Sequence, residues 1–179
     1  MNFLRSLLAF AGLAPARRKL VVRVGSPIPY RVAVPADAEI QTEPGRLSAK
    51  TWDISVVAVA LDAMAEEEPL PASAFGPRRV FTSLVMGDDA LLFKLVEEEI
   101  AIRRLQLEDV VQTIGLLGGQ RAAHLRGRYD DGGAQAWLDM HATVKNGVLY
   151  ILSFVVLRGV LEPHDTVLAR IHESFQLPE

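Results

Sequence analysis

The stretch AQAWLDMHATVKNGVLYILSFVVL, residues 134–157, decides the fold. From Ala134 to Val144 the chain alternates. Ala136, Leu138, Met140, Ala142 and Val144 fall on one face, and Gln135, Trp137, Asp139, His141 and Thr143 on the other. A period of two belongs to a β-strand. Asn146-Gly147 follows. Both residues tolerate the positive φ of a type I′ turn, so the chain is expected to fold straight back as a hairpin. Val148–Leu157 is apolar toward both faces, as expected of a central strand covered on each side.

Working outward, Arg121–Tyr129 also alternates and is joined to the hairpin by the turn Asp130-Asp131-Gly132-Gly133. The result is a three-stranded antiparallel meander. Pro163 opens a last helix whose apolar stripe is Val167, Leu168, Ile171 and Phe175. Upstream, Leu20–Val24 and Tyr30–Val34 predict short strands, and Pro44-Gly45 marks a turn. Thr51–Leu61 predicts a strand with Trp52, Ile54 and Val56 on one face and Val57, Val59 and Leu61 on the other, Trp52 being expected in the core. A charged loop covers 66–71, and 75–86 fits helix or strand equally. Asp88-Asp89 caps a helix carrying Leu91, Leu92, Leu95, Val96 and Ile100, with Glu97–Glu99 mostly on its outer face and Arg103-Arg104 at its end. A second short helix is expected through Leu107, Val110, Val111 and Ile114, stopping at Gly118-Gly119.

The chain has 179 residues, half of them hydrophobic, and no cysteine. That length suits one domain with its own core and excludes intrinsic disorder. Without cysteine there is no disulfide, thiolate metal site or cysteine nucleophile. The net charge of −3 is uneven. Residues 1–31 carry six basic groups and no acid, leaving 13 basic and 22 acidic residues, −9, in the remainder. An acidic body repels nucleic acid, so no nucleic-acid partner is expected.

Residues 1–19 form a basic, apolar leader or helix, and 20–179 a single domain. Within the leader, MNFLRSLLAFAGLAPA (1–16) allows two readings. Ala14-Pro15-Ala16 fits the small-x-small rule of a cleaved export signal. Leu4, Leu7, Leu8 and Ala11 also share one face of an amphipathic helix, which could touch a membrane peripherally. The arginines that follow weigh against export, so a cytoplasmic location is slightly favoured.

Most tests for chemistry fail. Gly115–Gly119 lacks the lysine of a phosphate loop and follows a helical pattern, so it is a helix stop and turn. No serine sits in a G-x-S-x-G context. The acids occur in runs typical of solvated faces. No two of His124, His141, His164 and His172 have the spacing of a helical metal pair. However, the turn at 130–133 places His124 and His141 almost opposite one another, beside Asp139. These three could form a metal site or an acid–base pair. Otherwise they are polar residues on a solvated sheet face. Trp137 shares that face, where an exposed aromatic often marks a binding surface.

Three stretches resemble the Mog/PsbP-like superfamily, especially its DcrB-like bacterial branch. They are Tyr30-Arg31-Val32-Ala33-Val34-Pro35, the hairpin Val144-Lys145-Asn146-Gly147-Val148-Leu149-Tyr150-Ile151-Leu152, and the ending Ile171-His172-Glu173-Ser174-Phe175-Gln176-Leu177. The chain departs from exported lipoprotein members in having no cysteine for a lipid anchor. The resemblance implies an α+β fold, an α/β/α sandwich whose central antiparallel sheet carries helices on both faces. It also implies a non-enzymatic accessory role, with no catalytic residues to carry over and no cofactor. The leading expectation is therefore a non-catalytic protein that holds a protein partner, with Trp137, Asp139 and His141 as candidate partner-binding residues. One alternative is a chaperone for a hydrophobic segment of a secreted protein. The other is a metal-binding protein or metal-dependent hydrolase using His124, His141 and Asp139.

Overall fold

In a computed structural model the chain is described over residues 18–62, 89–102, 104–157 and 164–179. The expected features at 1–16, 66–71 and 75–86, and the residues Asp88, Arg103 and Pro163, lie outside these. Among the described residues, nine strands and two helices follow in order. They are β1 (Leu20–Val24), β2 (Arg31–Pro35), β3 (Glu39–Glu43), β4 (Arg46–Lys50), β5 (Ile54–Asp62), α1 (Asp89–Ile102), β6 (Glu108–Leu117), β7 (Gln120–Asp131), β8 (Ala134–Lys145), β9 (Val148–Leu157) and α2 (Asp165–Glu173). The chain is α+β and mostly strand. β3-β4-β5-β9-β8-β7-β6 form a seven-stranded sheet with antiparallel pairing throughout, while β1 and β2 pair separately.

The meander forms as the alternation requires. Asn146 and Gly147 take φ of 51° and 75°, the positive values a type I′ turn needs. β9 lies between β5 and β8 and is buried along most of its length.

Alternate residues of the strands feed two apolar clusters. Val56, Ala58 and Ala60 of β5 join Tyr150, Leu152 and Phe154 of β9, Val32 and Val34 of β2, and Val167, Leu168 and Ile171 of α2. Val57 and Val59 join Leu138, Met140 and Ala142 of β8, Leu125 of β7, and Leu92, Leu95 and Val96 of α1. Phe175, just beyond α2, stacks on Tyr30 at 5.6 Å. Gln176 exchanges both backbone hydrogen bonds with Arg31, which fastens the C-terminal tail to β2.

Four expectations are corrected. Residues 108–117 form a strand, not a helix. Val110, Val111, Thr113 and Ile114 are β-branched, and Gly118-Gly119 is a two-residue hairpin turn, with φ of 56° and 82°, rather than a helix stop. Trp52 is 68% exposed rather than core, because β5 starts only at Ile54 and Trp52 lies on the turn before it. Glu99 is buried, unlike Glu97, since 92, 95, 96 and 99 share one helical face. Arg104 falls beyond α1 rather than in its last turn, and it closes the helix through its backbone, with φ 54° and its N–H donating to the Ala101 carbonyl, not through its charge.

Candidate functional site

The cluster is built by register. On β7 and β8, His124 pairs with His141, Arg126 with Asp139, and Arg128 with Trp137. All six residues project from the same face of the sheet. Thr113 of β6 continues the row beyond His124, and Leu152 of β9 continues it beyond His141. The row is not a solvated face. α2 lies against it, and His172 of that helix sits 4.4 Å from the His141 ring.

Asp139 is the centre of the cluster and is 3% exposed. Nε2 of His124 and Nε2 of His141 donate to its Oδ1 at 2.9 and 3.0 Å. Arg126 donates to Oδ2 through Nε and a terminal nitrogen at 2.9 and 2.5 Å. Burial opposes ionisation of Asp139, but the bonds from His124 and His141 outweigh it and hold the carboxyl well below its usual range. The His124 and His141 rings are stacked, 4.3 Å apart and 3° from parallel. With the Nε2 proton directed at Asp139, Nδ1 of His124 accepts from the Thr113 hydroxyl at 3.1 Å. Nδ1 of His141 and Nε2 of His172 are buried without a hydrogen-bond partner. Burial lowers the pKa of His141, and the Asp139 carboxylate only partly offsets this.

The metal-capable atoms of His124, Asp139 and His141 lie within 4.8 Å of one another. Trp137 is half-buried, its ring faced by the Arg128 guanidinium at 5.7 Å, and Arg128 is ion-paired to Asp109. Nothing in the sequence tied Arg126, Thr113 or His172 to this cluster. The i, i+2 spacing of Arg126 with His124 could have shown that the two share a face.

A pH dependence follows. Unfolded His141 titrates near 6.5 and folded His141 lower, so below about pH 6.5 the unfolded chain binds the extra proton and stability falls with acid. The groups facing it are His124, Asp139 and Arg126 from the sheet and His172 from α2. Asp139 does not contribute to this window, because its stabilisation is lost only below its unfolded value of 3.8. Tm is expected to drop between pH 7.5 and 5, and a His141→Gln variant is expected to lose part of that drop. An equal drop in both proteins counts against His141 as its source.

A separate cluster anchors the start of the described chain. Arg18 donates to Asp53 at 2.9 Å, and Asp53 also accepts from Thr51 at 2.7 Å. Arg18 and Lys19, the last residues of the expected leader, are thus tied to the domain, Lys19 through its carbonyl to the Ala36 amide.

The chain is similar in fold to CyanoP, the cyanobacterial PsbP of Synechocystis sp. PCC 6803. The TM-score is 0.56 at 12% identity, over 90% of this chain and 94% of that one. The fold is thus like that of PsbP, as the sequence resemblance implied. LpqN of Mycobacterium tuberculosis, involved in cell envelope biogenesis, matches with a TM-score of 0.49 at 17% identity, over 90% of this chain and 92% of that one. A Bacteroides thetaiotaomicron protein matches at 0.49 and 13% identity over 84% of this chain, which spans only 45% of that protein. No family model and no curated protein matches the sequence. Among the described residues, no helix is long and apolar enough to cross a membrane.

Proposed function

We propose that this chain is a non-catalytic accessory protein that holds an extended, apolar segment of a partner protein along β6. The observation that carries this reading is the exposure of β6. Among the described residues it is an outer strand of the sheet with β7 as its only neighbour, and Val110, Val111 and Leu116 are 46%, 55% and 61% exposed. An outer strand offers unpaired backbone donors and acceptors, which an extended segment satisfies by adding a strand. The exposed valines and leucine favour apolar side chains on that segment, and Glu108 and Asp109 form an acidic rim at one end. At the other end the edge runs into a shallow cleft of about 510 Å³, lined by Leu116, Gly118, His172, Phe175 and Leu177, which suits one bulky side chain. Beside the edge, Val111 and Thr113 adjoin the face floored by Trp137, Asp139 and His141.

Catalysis is disfavoured because Asp139 is already committed on both oxygens to His124, His141 and Arg126. Residues 20–179 act as one binding domain behind the leader, on an α/β/α framework with α1 and α2 on opposite faces.

The test uses Val111→Asp and Leu116→Asp, which place charge on the edge without touching the core. Both variants are expected to keep the wild-type Tm and to lose at least tenfold in recovery of a specific partner from the source cells. Glu43→Lys, on the opposite outer strand β3, is expected to retain it. Equal recovery by all three overturns the β6 assignment.

A further inference from the structure

We propose that His124, Asp139 and His141 bind one divalent transition-metal ion of the zinc type. The site adjoins β6 through Thr113 but takes no ligand from that strand, and either proposal can fail without the other. Two imidazoles and one carboxylate are the donor set that suits zinc, while magnesium and calcium prefer oxygen-only shells. The donors come from directly opposed positions on adjacent strands, so the backbone fixes their spacing. Nε2 of both histidines already converges on Oδ1 of Asp139 at 2.9 and 3.0 Å, and all three donor atoms lie within 4.8 Å of each other. Tetrahedral ligation of zinc needs donors about 3.3 Å apart. The stacked rings reach that by a small tilt.

The surroundings suit the ion as well. Metal ligation at Nε2 moves the proton of each neutral imidazole to Nδ1, and no net proton is released. For His124 that Nδ1–H points at the Thr113 hydroxyl, now 3.1 Å away, which turns from donor to acceptor and orients the ring. Arg126 holds Oδ2 and leaves Oδ1 for the metal, so Asp139 binds through one oxygen. The guanidinium also repels a cation, which sets the affinity in the micromolar rather than the nanomolar range. Three protein ligands leave a fourth position open, and His124, the more exposed of the two histidines, lies on the solvent side.

The experiment titrates the full chain, stripped with chelator, with zinc chloride alone by calorimetry. One zinc per chain is expected, with micromolar Kd and a raised Tm, and magnesium is expected to give neither. His124→Ala is the chief variant because its ring is only half-buried, and a loss of at least tenfold in affinity is expected. His172→Ala, beside the cluster but outside the donor set, is expected to bind as the wild type does. Nitrogen-15 NMR of the His124 ring reports independently, with the proton moving from Nε2 to Nδ1 when zinc is added. No binding, binding unchanged in His124→Ala, or an unmoved His124 proton overturns the proposal.

Discussion

Replacing Asp139 with alanine is expected to lower the unfolding free energy by about 3 kcal/mol, toward the lower end of the cost of breaking a buried ion pair. The residue is 3% exposed, and its carboxylate accepts from three residues at once. Removing it strands the Arg126 charge and leaves two imidazole N–H groups without an acceptor. Arg126 and His124 retain some contact with water, which keeps the loss from being larger. Urea unfolding with an unchanged m-value measures it. A paired replacement, Asp139→Leu with Arg126→Leu, removes the stranded charge and is expected to recover part of the loss. A loss below about 1 kcal/mol would mean that the cluster is not a structural centre.

Phe154→Ala is expected to cost about 3–5 kcal/mol, the usual range for emptying a buried aromatic site. Phe154 lies on the central strand, opposite Val56 of β5 on one side and Asp139 of β8 on the other. It meets His141 edge-on at 6.2 Å and belongs to the cluster that includes Val167, Leu168 and Ile171 of α2. Its neighbours belong to separate strands and a helix, so they cannot collapse together into the gap. In a chain of this size the loss lowers Tm by roughly 10 °C. It should also disturb the His141 ring, so the NMR signals of His141 are expected to move. A Tm shift under about 2 °C would show that this cluster is not the one holding α2 down.

Where the sequence was legible, two kinds of signal agreed. In residues 134–157 the two-residue period and the Asn146-Gly147 turn point to the same register, and the structure has that register. The turn at 130–133 likewise places His124 opposite His141. β6 was illegible because Leu107, Val110, Val111 and Ile114 satisfy a helical period by accident. The β-branched composition and the Gly118-Gly119 turn were the better guides. β3 and β4 flank the Pro44-Gly45 turn, but Glu39–Glu43 is largely polar and exposed, so no apolar alternation announced it. For the cluster, strand alternation placed His124, Asp139 and His141 together. It could not show α2 laying His172 against them, because that contact joins positions 31 residues apart, and only tertiary packing sets it. The same packing explains why this face can carry buried polar residues: Asp139, His124 and Arg126 satisfy one another across the strands, while His141 Nδ1 and Arg128 Nε stay without a partner.

The most direct measurement of the β6 account is site-specific photocrosslinking in the source cells. A photoreactive amino acid replaces Val111 on β6 or, as control, Gln41 on β3, and the attached peptides are sequenced. The account predicts that position 111 captures one protein through a single apolar segment and that position 41 does not. Capture of the same proteins at equal yield from both positions, or of a second copy of this chain alone, would contradict it.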